Sequence, residues 1–158
     1  MLFLASGSTA VPLINPVLSS TYIKYNCKPD KCTAEKAIDG DIETWAMSDR
    51  GGSWAVEFAK TVLIDKVLLT LGKTYYEYYS AFKLETKTSE EDAWSVCKGP
   101  YKVELPMDPH EVKCDAPTTA KFLRISPGPG GTGRLTLVEV TVETGEWTHP
   151  KIFSSHLI

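Results

Sequence analysis

Short segments in which apolar and polar residues alternate predict a protein built from β-strands. Residues 54–58 place every second side chain on one face, and residues 82–88 do the same with the charged set outward. Residues 62–71 form a longer apolar run, compatible with a strand buried on both sides. The remaining predicted strands cover residues 22–25, 121–125 and 135–143.

Clusters of Asp, Gly, Pro and Ser separate these segments at short spacing, and long helical periodicity is missing. The pattern is typical of a single all-β domain, a β-sandwich or jelly roll. We assign residues 15–145 to this domain. Residues 1–14 are expected to be a leader or a remnant of cloning, and residues 146–158 a C-terminal tail.

The last predicted strand changes face along its length. Apolar residues lie first at odd and then at even positions of residues 135–142. A strand can do this only through a bulge or bend, which we place at Leu137–Val138. The bulge would turn the Val138 carbonyl the same way as the Glu139 side chain, so that both offer oxygens to one ion. A plain kink with Glu139 in solvent is the alternative.

A second candidate for ion binding is the turn Asp39-Gly40-Asp41, shortly before Trp45. Glycine between two acids lets the backbone turn sharply, so both carboxylates and a nearby carbonyl can converge. Ca²⁺ takes about six to eight such hard oxygen ligands. The turn therefore suggests a calcium site, with a solvated turn between two strands as the alternative.

Composition and charge remove several classes of function. A net charge of −3 without a run of Lys or Arg argues against nucleic acid as the partner. No apolar run is long enough for a transmembrane helix. The three histidines, His110, His149 and His156, are isolated from one another and from any nucleophile motif, so enzymatic activity is not expected.

Four cysteines allow three disulfide pairings. Pairing of neighbours fits the sequence best, Cys27 with Cys32 and Cys97 with Cys114, and implies an oxidising, extracellular compartment. A zinc site is the competing use, although neither pair has the usual spacing of two intervening residues.

The order of several motifs along the chain points to one superfamily. They are Ser19–Tyr22, Lys36–Asp41, Thr44-Trp45, Trp54–Phe58, Ile64–Val67 and Leu135–Val140. Together they resemble the discoidin-type, galactose-binding-like jelly roll over residues 15–144, and within it most closely the F-type, fucose-binding lectins. The cysteines Cys97 and Cys114, followed by Phe122–Ile125, favour that branch.

The resemblance implies a structural Ca²⁺ site built from both ends of the domain. Its oxygen ligands would be the Lys36 carbonyl, Asp39, Asp41, a hydroxyl or carbonyl near Ser48, the Val138 carbonyl and Glu139. The related lectins commonly have Cys where this chain has Val138, and only the backbone of that residue would be used. The ion would tie the acidic turn to the closing strand and shape the binding loops.

The fucose-binding residues of such lectins are not matched here. Those lectins use a His before the Trp strand and an Arg-x-Asp later, whereas this chain has Arg50, Lys73 and Tyr75 in those places. An altered ligand surface is expected, since tyrosine rings stack on sugars and basic side chains bind hydroxyls or acids. We predict that it consists of Arg50, Lys73, Tyr75, Tyr76, Tyr78 and Tyr79. Packing of the tyrosines against the domain is the alternative.

These features predict a secreted or ectodomain, calcium-containing, lectin-like module that binds a glycan or a cell-surface glycoprotein. A protein–protein adhesion or receptor-recognition module on the same fold, with no sugar binding, is the second hypothesis, because Tyr- and Arg-rich loops also suit protein partners. Membrane lipid ranks third, since the loops lack paired large apolar residues and basic clusters.

Overall fold

The computed structural model describes residues 9–72, 81–101, 107–128 and 133–145, and nearly all its regular structure is β. Within these ranges the nine strands are β1 (Thr9–Ala10), β2 (Leu13–Leu18), β3 (Ala46–Arg50), β4 (Trp54–Leu71), β5 (Phe82–Lys87), β6 (Ser95–Tyr101), β7 (Pro109–Val112), β8 (Thr118–Pro127) and β9 (Arg134–Thr144). Two 3₁₀ helices, Tyr25–Cys27 and Ala34–Ile38, lie between β2 and β3. The all-β prediction is confirmed. Across these described ranges, no helix is long and apolar enough to cross a membrane.

The long strand β4 connects the two sides of the sandwich. Its first part pairs with β2 and β8, and its later part pairs with β9 and β7, always antiparallel. The register with β8 shifts between Glu57 and Val62, where three consecutive residues are exposed. The remaining pairings place β5 beside β8, β6 beside β5, and both β1 and β3 beside β9.

One hydrophobic core fills the space between the two sides. The large side chains of Trp54, Phe58 and Phe82 are fully buried, together with leucines and an isoleucine from β4, β5, β8 and β9. Burial of each such side chain contributes about 1.5–3 kcal/mol, so the alternating strands supply the main driving force for folding. In residues 62–71 one face is buried and the other, including Leu63 and Leu68, is half-buried. The expectation of burial on both faces was wrong there.

Two segments differ from the predicted strands. Residues 22–25 are not a strand, since the chain bends there into the 3₁₀ helix Tyr25–Cys27 and the exposed Tyr25 has a φ of 51°. Residues 46–53 lie outside the predicted strands, but Ala46–Arg50 is β3. β3 pairs with β9, and the first three side chains of β3 are buried. The sequence alone did not indicate this burial.

The domain begins before residue 15. β1 pairs with the end of β9, β2 pairs with the start of β4, and Val11 between them is buried in the core. Residues 9–14 are therefore part of the fold rather than a leader. Their short strands lack an alternating pattern, so only the paired backbone reveals them. The predicted tail, residues 146–158, lies outside the described residues.

Both disulfide predictions are confirmed. Cys27 is bonded to Cys32 and Cys97 to Cys114, and all four cysteines are thereby used. The first disulfide closes the short loop ahead of the 3₁₀ helix Ala34–Ile38, and the second joins β6 to the segment before β8. The zinc alternative is excluded, because no thiol is left to bind a metal.

Candidate functional site

The acidic turn is held against the core by the 3₁₀ helix that precedes it. Ala37 of this helix is fully buried, and the indole N–H of Trp54 donates to the Ala34 carbonyl oxygen at 2.9 Å. Gly40 follows with a φ of +74°, in the left-handed region that other residues rarely adopt. The predicted sharp turn between the two acids is therefore confirmed.

Hydrogen bonds within the turn use most of its polar groups. Both carboxylate oxygens of Asp39 are engaged, one by the Asp41 N–H at 3.0 Å and the other by the Thr44 hydroxyl at 2.6 Å. One oxygen of Asp41 accepts the Glu43 N–H at 2.9 Å. The Thr44 hydroxyl also lies 3.1 Å from the Asp41 carbonyl oxygen. Thr44 thus sits among oxygens of the turn.

The turn meets the last strand, although the two are far apart in sequence. The Gly40 N–H donates to a carboxylate oxygen of Glu139 at 3.2 Å. Thr70 of β4 lies opposite Glu139 while Leu71 lies opposite Leu137, so Val138 is an extra residue in β9. The predicted bulge at Leu137–Val138 is confirmed, as is the approach of the acidic turn to the last strand.

Two carboxylates are held close together here. Burial raises the pKa of Glu139 above its ordinary value; the hydrogen bond from Gly40 opposes this rise and the negative charge of Asp39 adds to it. For Asp39, slight burial acts in the same direction, but the hydrogen bonds from the Thr44 hydroxyl and the Asp41 N–H outweigh burial. The pKa of Asp39 is therefore lowered below its ordinary value. A cation between them would offset the repulsion that Glu139 meets on ionising.

The oxygen groups present fit a hard cation. Within the described ranges, no three His, Cys, Asp or Glu side chains converge on one point. A cation between Asp39 and Glu139 would therefore need backbone carbonyls and the Thr44 hydroxyl to complete its shell. Two carboxylates with neutral oxygens suit Ca²⁺, which accepts carbonyl and hydroxyl ligands, better than zinc.

The Ser48 hydroxyl, one of the groups predicted near this site, is bonded elsewhere, while the predicted carbonyl near Ser48 stays a prediction. The Ser48 side chain is fully buried, accepts the Leu135 N–H at 3.0 Å and donates to the Asp49 carbonyl oxygen at 2.8 Å. Leu135 lies four residues from Glu139 along β9, a separation of about 13 Å. The hydroxyl that reaches the turn belongs to Thr44, which lies in the Thr44-Trp45 motif but was not predicted as a ligand. The position of Thr44, five residues after Asp39 in the sequence, is the signal from which its contact with the turn could have been predicted.

The other two predicted ligands flank the turn and Glu139. Lys36 lies in the 3₁₀ helix that leads directly into the turn, and Val138 is the bulged residue next to Glu139. Both were predicted to contribute only a backbone carbonyl. Their roles as carbonyl ligands stay predictions.

Of the predicted ligand-binding residues, only Arg50 lies within the described residues. It is exposed at the end of β3, opposite Arg134 of β9, whose guanidinium lies 4.5 Å from the ring centre of Tyr22. This end of the sandwich thus carries two neighbouring arginines. The predicted contacts Lys73, Tyr75, Tyr76, Tyr78 and Tyr79 lie outside the described residues.

Comparison with known proteins agrees with this architecture. An F5/8 type C domain from Bacteroides fragilis superposes with a TM-score of 0.72 at 17% identity, covering 88% of this chain and 97% of that chain. The family 32 carbohydrate-binding module of Clostridium perfringens NanJ, solved with galactose, gives 0.68 at 18% identity, with coverages of 86% and 98%.

A third structure, an f-lectin (fucolectin) from striped bass (Morone saxatilis) serum, gives a TM-score of 0.68 at 17% identity and covers 82% of this chain and 46% of that chain. No curated protein matches the sequence. The profile of the F5/8 type C domain matches residues 19–140, which is most of the chain. The predicted discoidin-like resemblance is confirmed, and the chain belongs to the F5/8 type C domain family.

Proposed function

We propose that the chain is a non-catalytic, lectin-like carbohydrate-binding module that holds a structural Ca²⁺ ion. Its family and fold support the first part, since proteins of this fold include a module solved with galactose and another solved with GalNAc-β-1,3-galactose. The observation that carries the calcium part is the hydrogen bond from the Gly40 N–H to Glu139, which joins the acidic turn to the last strand.

The proposed ligands of the ion are oxygens only. Asp39 and Glu139 supply the charge, the Lys36 and Val138 carbonyls and an Asp41 oxygen complete the predicted set, and Thr44 takes the place of Ser48. The ion would supply positive charge at a point where two carboxylates approach each other. Its role is to fix the turn on β9, and with it the loops that carry the ligand.

The proposed compartment is extracellular, as a secreted protein or an ectodomain. Two disulfides in a domain of this size support an oxidising environment. The proposed partner is accordingly a glycan or a glycoprotein at a cell surface. Arg50, at the arginine-bearing end of β3, is proposed as one contact of an altered ligand surface.

The calcium proposal is tested by thermal unfolding with Ca²⁺ and with a chelator. A ligand at a hundred times its Kd stabilises the folded state by about 2.7 kcal/mol. For a domain of this length that raises Tm by about 5–10 °C. We expect this rise in the wild type and its loss in Glu139→Gln, which keeps the shape of the side chain but removes its charge.

Glu143→Gln is the matched control for that variant. Glu143 lies on the same strand with similar burial, where it pairs with Lys66 at 3.4 Å, away from the turn. We expect it to keep the full response to Ca²⁺. Identical melting curves of the wild type in Ca²⁺ and in chelator would contradict the calcium proposal.

The carbohydrate proposal is tested by applying folded protein in Ca²⁺ to an array of immobilised glycans. Binding to a related group of glycans, competed by the free sugar, is expected. Binding to no glycan would overturn the proposal and favour the alternative of a protein–protein adhesion module. Arg50→Ala is expected to weaken binding without lowering Tm, because Arg50 is exposed.

A further inference from the structure

A pocket of about 230 Å³ lies beside the acidic turn, between the Cys27–Cys32 disulfide loop and Trp45. Cys32, Lys36, Thr44 and Trp45 are among its lining residues. Among the residues that the structure describes, the predicted ligand-binding residue Arg50 is not part of this lining. Trp45 precedes Arg50 by five residues along a largely extended chain, which separates these two residues by roughly 15 Å.

Trp45 gives the lining of the pocket an aromatic surface. Trp45 is half-buried and packs on a small buried cluster of Cys27, Cys32 and Met47. The disulfide fixes this cluster, and the Met47 N–H donates to the Cys32 carbonyl oxygen at 3.1 Å. A partly exposed indole backed by a disulfide offers a flat apolar face with little motion to lose on binding.

The rim of the pocket is polar and balanced in charge. Lys31 and Lys36 bring two ammonium groups, Asp30 and Glu43 bring two carboxylates, and Asn26 brings an amide. Their formal charges cancel, so the rim favours neither an anion nor a cation. It offers both donors and acceptors, which is what a ring of hydroxyl groups requires.

We propose that this pocket binds one ring of a neutral sugar, whose apolar C–H face stacks on Trp45 while its hydroxyls bond to the rim. The volume lies below the roughly 300–1,000 Å³ of pockets for drug-sized ligands, which restricts the occupant to a single ring. The inference rests on the proposed carbohydrate function and adds a sugar-binding site at the disulfide loop to the proposed Arg50 surface.

The pocket is also connected to the proposed ion site. Thr44 lines the pocket, and its hydroxyl is bonded to Asp39 at 2.6 Å. An ion that holds Asp39 in place therefore also holds one wall of the pocket. Because such coupling is reciprocal, sugar binding and Ca²⁺ binding strengthen each other.

The experiment follows the indole N–H signals of the tryptophans by two-dimensional NMR of ¹⁵N-labelled protein in Ca²⁺. Trp45→Phe and Trp94→Phe assign two of the four signals. The probes are methyl glycosides of galactose, N-acetylgalactosamine, glucose, mannose and fucose, with galacturonate as the charged comparison. We expect at least one neutral sugar to shift the Trp45 signal and to leave the Trp94 signal in place.

Variants measure the contribution of the pocket to affinity. Trp45→Ala is expected to weaken binding about tenfold or more, while Trp45→Phe keeps most of the affinity because a ring remains. Trp94→Ala is the matched control, since Trp94 is also half-buried but lies under Lys87 and Arg124 on another face. Asp30→Asn is a second variant: Asp30 is exposed with a φ of 51°, which Asn tolerates, so the fold is retained while an acceptor charge is lost.

The outcomes distinguish the proposal of a Trp45 pocket from the proposed carbohydrate function. The pocket proposal is contradicted if a sugar binds without moving the Trp45 signal, or if it binds Trp45→Ala and Asp30→Asn as tightly as the wild type. Either result leaves the proposed carbohydrate function in place. Tighter binding of galacturonate than of every neutral sugar would contradict the proposal that the ligand is a neutral sugar. Absence of any bound glycan overturns the proposed function itself.

Discussion

Replacing Glu85 by Gln tests how the outer face of the sheet is stabilised. Glu85 of β5 is buried, and one of its oxygens accepts the Arg124 guanidinium at 2.6 Å and the Ser126 hydroxyl at 2.5 Å. The Lys83 ammonium lies 3.1 Å from its other oxygen. Gln keeps the shape of the side chain but removes the charge that these donors surround.

The size of the effect follows from the pKa of Glu85. Burial opposes its ionisation, but the hydrogen bonds from Arg124, Ser126 and Lys83 outweigh burial and lower the pKa from 4.5 to about 2. At about 1.4 kcal/mol for each pH unit, ionised Glu85 stabilises the folded protein by about 3 kcal/mol at neutral pH. Because the folded pKa lies below the unfolded one, this stability is present above pH 4.5 and is lost as the pH falls through about 2.

Urea unfolding at a series of pH values measures this contribution. At pH 7 we expect Glu85→Gln to lower the free energy of unfolding by about 3 kcal/mol, or Tm by about 6–12 °C. Toward pH 2 the difference from the wild type should close. Glu111→Gln is the control, since exposed Glu111 pairs with Lys66 at 2.9 Å and such pairs contribute little. A difference that stays constant with pH would refute the role given to the charge of Glu85.

Two further variants test the support of the proposed ion site. Gly40→Ala should lower the free energy of unfolding by about 1–2 kcal/mol in a urea titration, because a φ of +74° strains any L-residue. Nothing lies within 4 Å of an added Cβ, so no steric clash contributes. Gly99→Ala is the control: its site is equally open and has no positive φ, so its stability should be nearly unchanged. Trp54→Phe removes the donor to the Ala34 carbonyl and should cost about 1–3 kcal/mol by urea unfolding. Unchanged stability of either Gly40→Ala or Trp54→Phe would contradict the corresponding account of the turn.

Local periodicity made some features predictable. Side chains alternate along a strand, so residues 54–58 indicated which face is buried, and the change of phase at Leu137–Val138 indicated a bulge. In residues 82–88 the charged set was expected outward, but Glu85 is buried because Arg124 and Ser126 bond to it. The disulfides were predictable because neighbouring cysteines can close short loops. The glycine between Asp39 and Asp41 likewise indicated a sharp turn, since a positive φ is a property of the residue itself.

Other features depend on which segment lies opposite. Residues 46–50 form a strand because β9 supplies their hydrogen bonds and covers their buried face. The direction of that pairing turns Ser48 into the core beside Leu135. It leaves Thr44, not Ser48, beside the acidic turn. Both hydroxyls follow the turn in the sequence, so spacing alone could not choose between them.

The sequence by itself determined the β class, the bulge, the disulfides and the acidic turn, because each depends on residues that are close along the chain. The tertiary structure alone decided that the Gly40 N–H meets Glu139 and that Trp45 lines a pocket together with residues of the disulfide loop. Those contacts depend on the pairing of distant strands. That pairing is set by burial of the whole core and leaves no local pattern in the sequence.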